Sequence, residues 1–396
     1  MTEKEGKKQV FQVNLEKQIE GSPVTKSSNR GWVNWGKKNN FPETILELYN
    51  NSPTLDASIQ FCVSALLGNG IHIDGDMQTR PNNIYDWNEF IRRIATDYFL
   101  YGLFCVQVIK NKGGESYSFF HTPAEQVRCS ERNSKGEIES YWLSADWSAQ
   151  SKPENAPIEI PAFNFNDEAE YNLKLGQPYM YCYSTYAPTM NFYSLPPWWS
   201  AYKAVKAETE YLTYELSCSQ NSFLASGCIS MPPAADDEEK QAIVEEIRNT
   251  FIGSSNSSRL MVTFRNDSDN DQPVQFTKFS NESGEFDMFS SANERAINRI
   301  LASLNIPNKQ LIGMPQEVGN LTSEGALLET SLKVYQAIAG KYYRSVILGS
   351  VNNMFKMNGI DIELEVEDLK FGDDVSNTAT ETDNGMVETE TEEDML

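Results

Sequence analysis

Three long stretches of helical periodicity occupy the second half of the chain, and segments containing proline or glycine separate them. The first follows Pro196-Pro197, the second ends before Pro307, and the third runs from Thr322 to about Met357. The third would be about 50 Å long if it were unbroken. The apolar stripes are Val205, Leu212 and Leu216; then Phe286, Phe289, Ile297, Ile300 and Leu304; then Leu328, Leu332, Tyr335, Ala339, Tyr342 and Val346. Helices of this length need partners along much of their surface, so they constrain the fold more than any other feature.

A small insertion separates the first two of these helices. GCISM at 227–231 and RLMVTF at 259–264 have strand composition, and ADDEEKQAIVEEIRNTF at 235–251 is helical, with acids at the end where the helix dipole favours them. The sequence therefore predicts a strand-helix-strand unit carried on two long helices.

The first half of the chain mixes the two kinds of element. Helical patterns follow Pro42 and Pro53, and a third ends at Gly102. LFCVQVIKN and SYSFFH flank Lys112-Gly113-Gly114 as a hairpin would, and further strands are expected near EQVRCS, EIESYWL and PYMYCYS. These patterns predict an α+β fold class for residues 35–200.

Composition limits the partners that the protein can bind. The chain has 396 residues and a net charge of −23, and nucleic-acid affinity comes largely from Lys and Arg that neutralise phosphates. Ordinary DNA binding is therefore disfavoured. The negative charge does not exclude DNA that moves past the protein without being bound. The six cysteines lie scattered in or near apolar runs, and the longest apolar run, near 61–67, is far short of the roughly 20 residues that span a bilayer. We expect a soluble intracellular protein with no membrane association.

Few residues suggest catalysis. The two histidines, His72 and His121, both lie in strand patterns, and GSSNSSR at 253–259 lacks the lysine of a phosphate-binding loop. Asp146 beside Trp147 is one of too many possible carboxylate sites to be informative. We expect a protein that is not an enzyme and has no catalytic residues, no metal and no cofactor. The rival hypothesis is a carbohydrate-binding or carbohydrate-active protein that uses paired acids and the Trp32/Trp35 and Trp198-Trp199 aromatics.

The order of these segments resembles that of HK97-type portal proteins of tailed bacteriophages. DYFLYGLFCVQVIKNKGGE resembles the family's aspartate, glycine and hydrophobic strand run, and the following HTPAEQVRC resembles its proline shortly before a Val-Arg pair. ILASLNIPNKQLIG before a Ser-Glu helix start resembles the family's Ile-Pro segment. The resemblance covers residues 35–358. Where family members commonly continue into a helical crown, this chain has a strand-like segment and an acidic tail.

The resemblance implies a portal-like division of the chain: wing domain, long stem helices, small α/β clip insertion and C-terminal long helix. The expected units are a flexible arm at 1–34, the wing at 35–200, an outgoing stem helix at 201–226, the clip at 227–280, a returning stem helix at 281–306, a tunnel loop at 307–321, a long helix at 322–358, a strand-like segment at 359–371 and a disordered acidic tail at 372–396.

The family further implies a function and partners. Its members form homo-oligomeric rings, usually of twelve subunits, at one capsid vertex of the virion, after assembly in the host cytoplasm. Double-stranded DNA passes non-specifically through the ring during packaging and ejection. The major capsid protein surrounds the ring, the terminase large subunit docks on it during packaging, and the head-tail adaptor docks afterwards.

Three groups of site residues follow from this resemblance. The DNA-facing tunnel loop would be Gly313, Met314, Pro315, Gln316, Glu317, Val318, Gly319 and Asn320; clip docking would use Asp236, Asp237, Glu238, Glu239, Arg248 and Arg259; subunit contacts would use Tyr211, Tyr214 and Phe289. The loop is rich in glycine and amides and has no Lys or Arg between Lys309 and Lys333, so it can touch DNA without gripping it. An ordinary helix connection is the alternative for the loop, and intramolecular core packing is the alternative for the three aromatics.

Overall fold

The structure is a computed structural model that mixes helices and small sheets, as the predicted α+β class requires. It describes residues 26–27, 31–71, 80–114, 116–165, 173–220, 225–231, 237–251, 259–264, 275–277, 283–315, 321–362, 364, 366 and 368–369. Residues 1–25 and 28–30 of the predicted arm at 1–34, the His72 strand and the acidic tail lie outside these residues.

Three helices open the described part of the chain after a two-stranded pair, β1 Lys26–Ser27 and β2 Val33–Asn34. They are α1 Phe41–Asn51, α2 Pro53–Leu67 and α3 Trp87–Tyr101. Side chains cap two of them: Ser52 accepts a hydrogen bond from the Leu55 N–H, and Asp86 accepts one from the Glu89 N–H. These caps satisfy backbone donors that have no partner within the helix, so they fix where α2 and α3 begin.

The predicted hairpin is confirmed and extended by a third strand. Strand β3, Leu103–Lys110, pairs antiparallel with β4, Tyr117–Thr122, across the predicted turn. Its other edge pairs antiparallel with β8, Pro178–Ser184, which arrives much later in the chain. The central position of β3 explains its almost continuous apolar composition, because both edges and both faces are covered.

A second antiparallel sheet lies between β4 and β8 in the sequence. It contains β5 Val127–Cys129, β6 Ser140–Leu143 and β7 Ile158–Pro161, in that order. Strands β5 and β6 were predicted near EQVRCS and EIESYWL, whereas β7 was not predicted.

Two long helices carry a small α/β unit between them, as predicted. They are α4 Tyr202–Gln220 and α6 Ser283–Ser303, and they pack on each other. The unit between them is β9 Ala225–Met231, α5 Asp237–Phe251, β10 Arg259–Phe264 and β11 Gln275–Thr277. Strands β9 and β10 are parallel, so α5 is the crossover that parallel pairing requires.

The third long helix contains one interruption. Helix α7, Leu321–Tyr335, continues through a π-helical turn, Gln336–Gly340, into α8, Lys341–Met357. The interruption ends at Gly340. Tyr343, rather than the predicted Tyr342, faces the core, because four-residue steps from Tyr335 continue across the turn.

The segment after α8 differs from the sequence prediction. Its alternation predicts a strand at 359–371, yet none of its described residues belongs to a strand. Ile360 and Leu364 are buried, and the Leu364 N–H donates to Asn352 Oδ1 of α8 at 3.0 Å. At Leu364, the described backbone partner is therefore a side chain of α8 rather than a neighbouring strand.

A buried carboxylate joins the long helix α4 to the N-terminus of α2. Glu208 is 4% exposed and accepts hydrogen bonds from the hydroxyls of Ser52 and Thr54, the latter at 2.5 Å. The positive end of the α2 dipole favours a negative charge at this place. This contact fixes how α4 lies against the N-terminus of α2.

Gly102 occupies the point where α3 becomes β3. Its backbone is left-handed, with φ +73°, and an added Cβ would lie 2.1 Å from the Leu195 carbonyl oxygen. No L side chain fits there, so helix and strand can follow each other directly only because this residue is glycine.

We predict that Gly102→Ala lowers the free energy of unfolding by about 2–4 kcal/mol, because it combines an unfavourable φ with a backbone clash. Urea denaturation measures the change. Gly114→Ala is the control: Gly114 has φ +81° but a Cβ there would meet its nearest atom at 3.9 Å, so only about 1 kcal/mol should be lost. Equal losses in the two variants would contradict the clash.

Candidate channel loop and assembly surfaces

The residues behind the family resemblance are buried and structural. Arg128, from the Val-Arg pair, is 1% exposed and is charged at neutral pH, although burial lowers its pKa to about 10. Its Nε and Nη2 donate to the side chain and carbonyl of Asn39, and its Nη1 donates to the Glu125 and Val127 carbonyls. The guanidinium also lies over the rings of Trp35 and Trp147. Polar acceptors and aromatic faces together compensate for the loss of water.

His121 is engaged by Asp97, the aspartate of the same motif. His121 Nε2 lies 2.8 Å from Asp97 Oδ2, and Asp97 also accepts the Ala124 N–H at 3.0 Å. Both side chains are 9% exposed. The pair fastens α3 to β4 and to the 3-10 turn Ala124–Gln126, which accounts for both residues without catalysis.

The features that suggested carbohydrate chemistry have structural uses. Trp35 and Trp198 are fully buried, and Trp35 stacks on Tyr193 with ring centroids 4.6 Å apart. Hydrogen bonds from Ser148 lower the pKa of the solvent-exposed Asp146, whereas a catalytic acid needs a raised pKa. The aromatics belong to the core, and the carbohydrate alternative is not favoured.

The part of the chain that the structure describes contains no group of three or more His, Cys, Asp or Glu residues that could hold a metal ion. Among the described helices, none combines the length and the apolar character needed to cross a bilayer.

The approach to the predicted tunnel loop is well defined. Helix α6 ends at Ser303, Asn305 follows with φ +57°, and the Ile306 N–H donates to the Leu301 carbonyl at 2.9 Å. A 3-10 turn, Lys309–Ile312, then ends at Gly313, which is left-handed with φ +83° and has open space around its Cα. Leu311 and Ile312 pack against the core, so the chain is anchored up to the start of the loop.

Within the predicted tunnel loop, Gly313, Met314 and Pro315 are described, and Gly313 and Pro315 are exposed. Gln316, Glu317, Val318, Gly319 and Asn320 lie outside the described residues. The chain resumes as helix α7 at Leu321.

The predicted subunit contacts lie on the two long helices. Tyr211 is half-buried and Tyr214 is 47% exposed on α4. Phe289 belongs to α6, and its side chain lies outside the described part. The role of these three residues in subunit contacts stays a prediction.

An exposed apolar stripe on the third long helix was missed by the sequence analysis. Leu327, Val334, Ile338 and Tyr342 are 49%, 41%, 64% and 51% exposed. Their spacings of seven, four and four residues place them on one helical face. The sequence shows that these positions are apolar. Only the packing shows that a different stripe of the helix, with Leu332 and Tyr335, is the one buried within the chain.

The predicted docking acids of the clip lie in the first turn of α5. Asp237, Glu238 and Glu239 are all exposed, and Lys240 Nζ lies 2.7 Å from Asp237 Oδ1. Asp236 lies outside the described residues. Arg248 is part of α5 and Arg259 begins β10, but their side chains are not described.

A cavity of about 400 Å³ between α4 and α6 presents two bases. It is lined by Lys203, Arg299 and small residues of the two helices.

No protein-family model matches the sequence, and no curated protein matches it. Solved structures do share its fold. A chain in the neck of a native GTA particle computed with C12 symmetry aligns with a TM-score of 0.56 at 13% identity, covering 88% of this chain and 86% of that chain. A chain in the neck of the empty GTA particle, computed with C6 symmetry, aligns with a TM-score of 0.55 at 13% identity, covering 82% of this chain and 84% of that chain. GTA denotes a gene transfer agent, whose native virion also contains a similar chain.

An HK97 family phage portal protein from Corynebacterium diphtheriae aligns over 81% of this chain and 95% of that chain at 9% identity, with a TM-score of 0.43. At 13% identity, the neck structures show that this chain shares the fold of those neck chains.

We predict that Arg128→Lys lowers the free energy of unfolding by about 2–4 kcal/mol, because an ammonium cannot reproduce the planar contacts or reach all the carbonyls. Chemical denaturation measures the loss. Arg93→Lys is the matched control: Arg93 also lies over an aromatic ring, that of Tyr85, but is 48% exposed, and it should lose less than about 0.5 kcal/mol. A small loss for Arg128→Lys would show that the buried guanidinium is not a central contact.

Proposed function

We propose that the protein is a portal subunit. Copies of it form a ring at one vertex of a phage capsid, and genomic DNA is packaged and ejected through this ring. The observation that carries the proposal is the shared fold over 88% of the chain with a protein of a C12-symmetric neck. The protein acts mechanically, and an ATP-driven motor docked on the ring supplies the energy.

Ring formation explains the apolar stripe of the third long helix. In a closed ring, each subunit uses two different surfaces against its two neighbours. Leu327, Val334, Ile338 and Tyr342 leave apolar area in water that a neighbouring copy would cover. Tyr211, Tyr214 and Phe289 of the stem helices remain candidates for the same contact, and a ring of twelve subunits is the number that the neck symmetry favours.

The tunnel-loop assignment for 313–320 rests on anchoring and charge. The chain is fixed by Leu311 and Ile312 on one side and resumes as α7 on the other. The loop between these anchors has Glu317 and no base. Negative charge repels DNA phosphates within roughly 8 Å at physiological salt, so the loop limits sideways movement of the duplex without binding it.

The remaining partners follow from the division of the chain. The clip at 227–280 docks the terminase large subunit during packaging and the head-tail adaptor afterwards, with the α5 acids as the first contacts. The wing at 35–200 faces the major capsid protein. The protein is thus a virion component that is assembled in the host cytoplasm.

We predict that Ile338→Glu lowers the assembled mass, because it places a charge in an apolar contact between copies, while the melting temperature of the subunit changes little since the side chain is 64% exposed. Light scattering measures the mass. Ile84→Glu is the control, at an isoleucine that is 69% exposed in the wing, and it should assemble normally. Full assembly of Ile338→Glu would exclude this stripe from the interface.

We also predict that replacing residues 314–319 by a minimal glycine link leaves the ring intact but reduces the DNA retained in particles. The replacement spares the anchoring 3-10 turn Lys309–Ile312. Electron microscopy checks ring formation, and quantification of DNA per particle checks retention. Rings with normal genome content would remove the tunnel-loop assignment while leaving the portal proposal in place.

A further inference from the structure

Two cysteine thiols face each other across neighbouring strands of the sheet that contains β4, β3 and β8. Cys105 on β3 is the direct register partner of Cys182 on β8, and their Sγ atoms lie 2.6 Å apart. Both are free thiols. Neither belongs to the loop, clip or interface surfaces, so the proposed function does not account for the pair.

The register of the sheet places the two residues in the arrangement that best suits a covalent link. The Thr185 N–H donates to the Gly102 carbonyl at 3.0 Å, so those two residues form a hydrogen-bonded pair. Pairs alternate along an antiparallel ladder, and Cys105 and Cys182, three residues further on, therefore form a non-hydrogen-bonded pair. Cα atoms in such pairs approach to about 4.5 Å, within the range that disulfides bridge.

A cavity gives solutes access to the pair. It has a volume of about 390 Å³, and both thiols line it together with Cys129. Tyr186, which is 85% exposed, is also in the lining, so the cavity reaches the surface. Cys182 is half-buried, whereas Cys105 is fully buried and its pKa is raised by that burial. Cys182 is therefore the thiol that an oxidant meets first.

We propose that Cys105 and Cys182 are a redox modification site, which closes to a disulfide when the protein meets a small disulfide oxidant such as glutathione disulfide. The Cys182 thiolate attacks one sulfur of the oxidant, and the other half leaves as a thiol. The Cys105 thiol gives its proton to solvent and attacks Cys182 Sγ, so the second half leaves. Two protein thiols are oxidised, and one disulfide is reduced to two thiols.

The link has a structural consequence. It ties the central strand β3 to β8 and closes a loop that contains β4 and the whole sheet of β5, β6 and β7. Closing a long loop restricts the unfolded chain, so the oxidised protein is more stable than the reduced one. The link therefore stabilises the α+β part of the protein, residues 35–200, when the surroundings become oxidising.

The test treats the full-length protein with glutathione disulfide, blocks remaining thiols with an alkylating agent and maps the peptides by mass spectrometry. We expect a linked peptide pair containing Cys105 and Cys182, lighter by two hydrogen atoms than its reduced parts. The melting temperature should rise by about 5 °C or more and return on reduction.

Two variants sharpen the result. Cys129→Ser, which changes the third thiol of the cavity, should still form the link, and Cys182→Ser should not. The proposal is overturned if Cys182 stops at a mixed disulfide with glutathione, if a link forms through Cys129, or if both thiols stay free after prolonged exposure. The mapping of the unaltered protein decides the matter even if a variant fails to fold.

Discussion

The packing of the α+β residues 35–200 depends on one buried cation, the guanidinium of Arg128. A guanidinium that cannot reach water requires fixed acceptors on several sides, and Arg128 obtains them from Asn39 and from the carbonyls of Glu125 and Val127. Trp35 and Trp147 cover its faces. These partners come from the segment before α1, from the 3-10 turn Ala124–Gln126, from β5 and from the loop between β6 and β7. Satisfying one cation therefore fixes how distant parts of the chain pack.

Polar and conformational constraints also fix other junctions of the chain. Asp97 fastens α3 to β4, Gly102 lets α3 turn directly into β3, and Glu208 holds α4 against the N-terminus of α2. Each is a polar or conformational constraint that apolar packing alone would not specify. Helix α4 is thereby held against the start of α2. The proposed ring requires fixed contacts of this kind, because a small error per subunit accumulates around a closed ring.

Much of the fold could be predicted because its signals are local. Pro42 and Pro53 mark two helix starts, and Gly102 marks the end of a third helix. Lys112-Gly113-Gly114 marks the hairpin, and Pro307 marks the end of α6. Pairing of β8 with β3 could not be predicted, since it depends on contacts between residues far apart in the sequence. Alternation at 359–371 indicated a strand but did not reveal that α8, rather than a sheet, is its partner. Likewise, the acceptors of Arg128 and the exposure of Ile338 are properties of packing, which apolar periodicity does not specify.

The central claim is that copies of this chain close into a ring around a channel. The most direct test is the mass of the purified protein by light scattering over a range of concentrations, with negative-stain images of the same samples. The account predicts rings with a central hole and, for twelve chains of 44.8 kDa, a mass of about 540 kDa. A mass of one or two chains at every concentration, with no rings in the images, would contradict it.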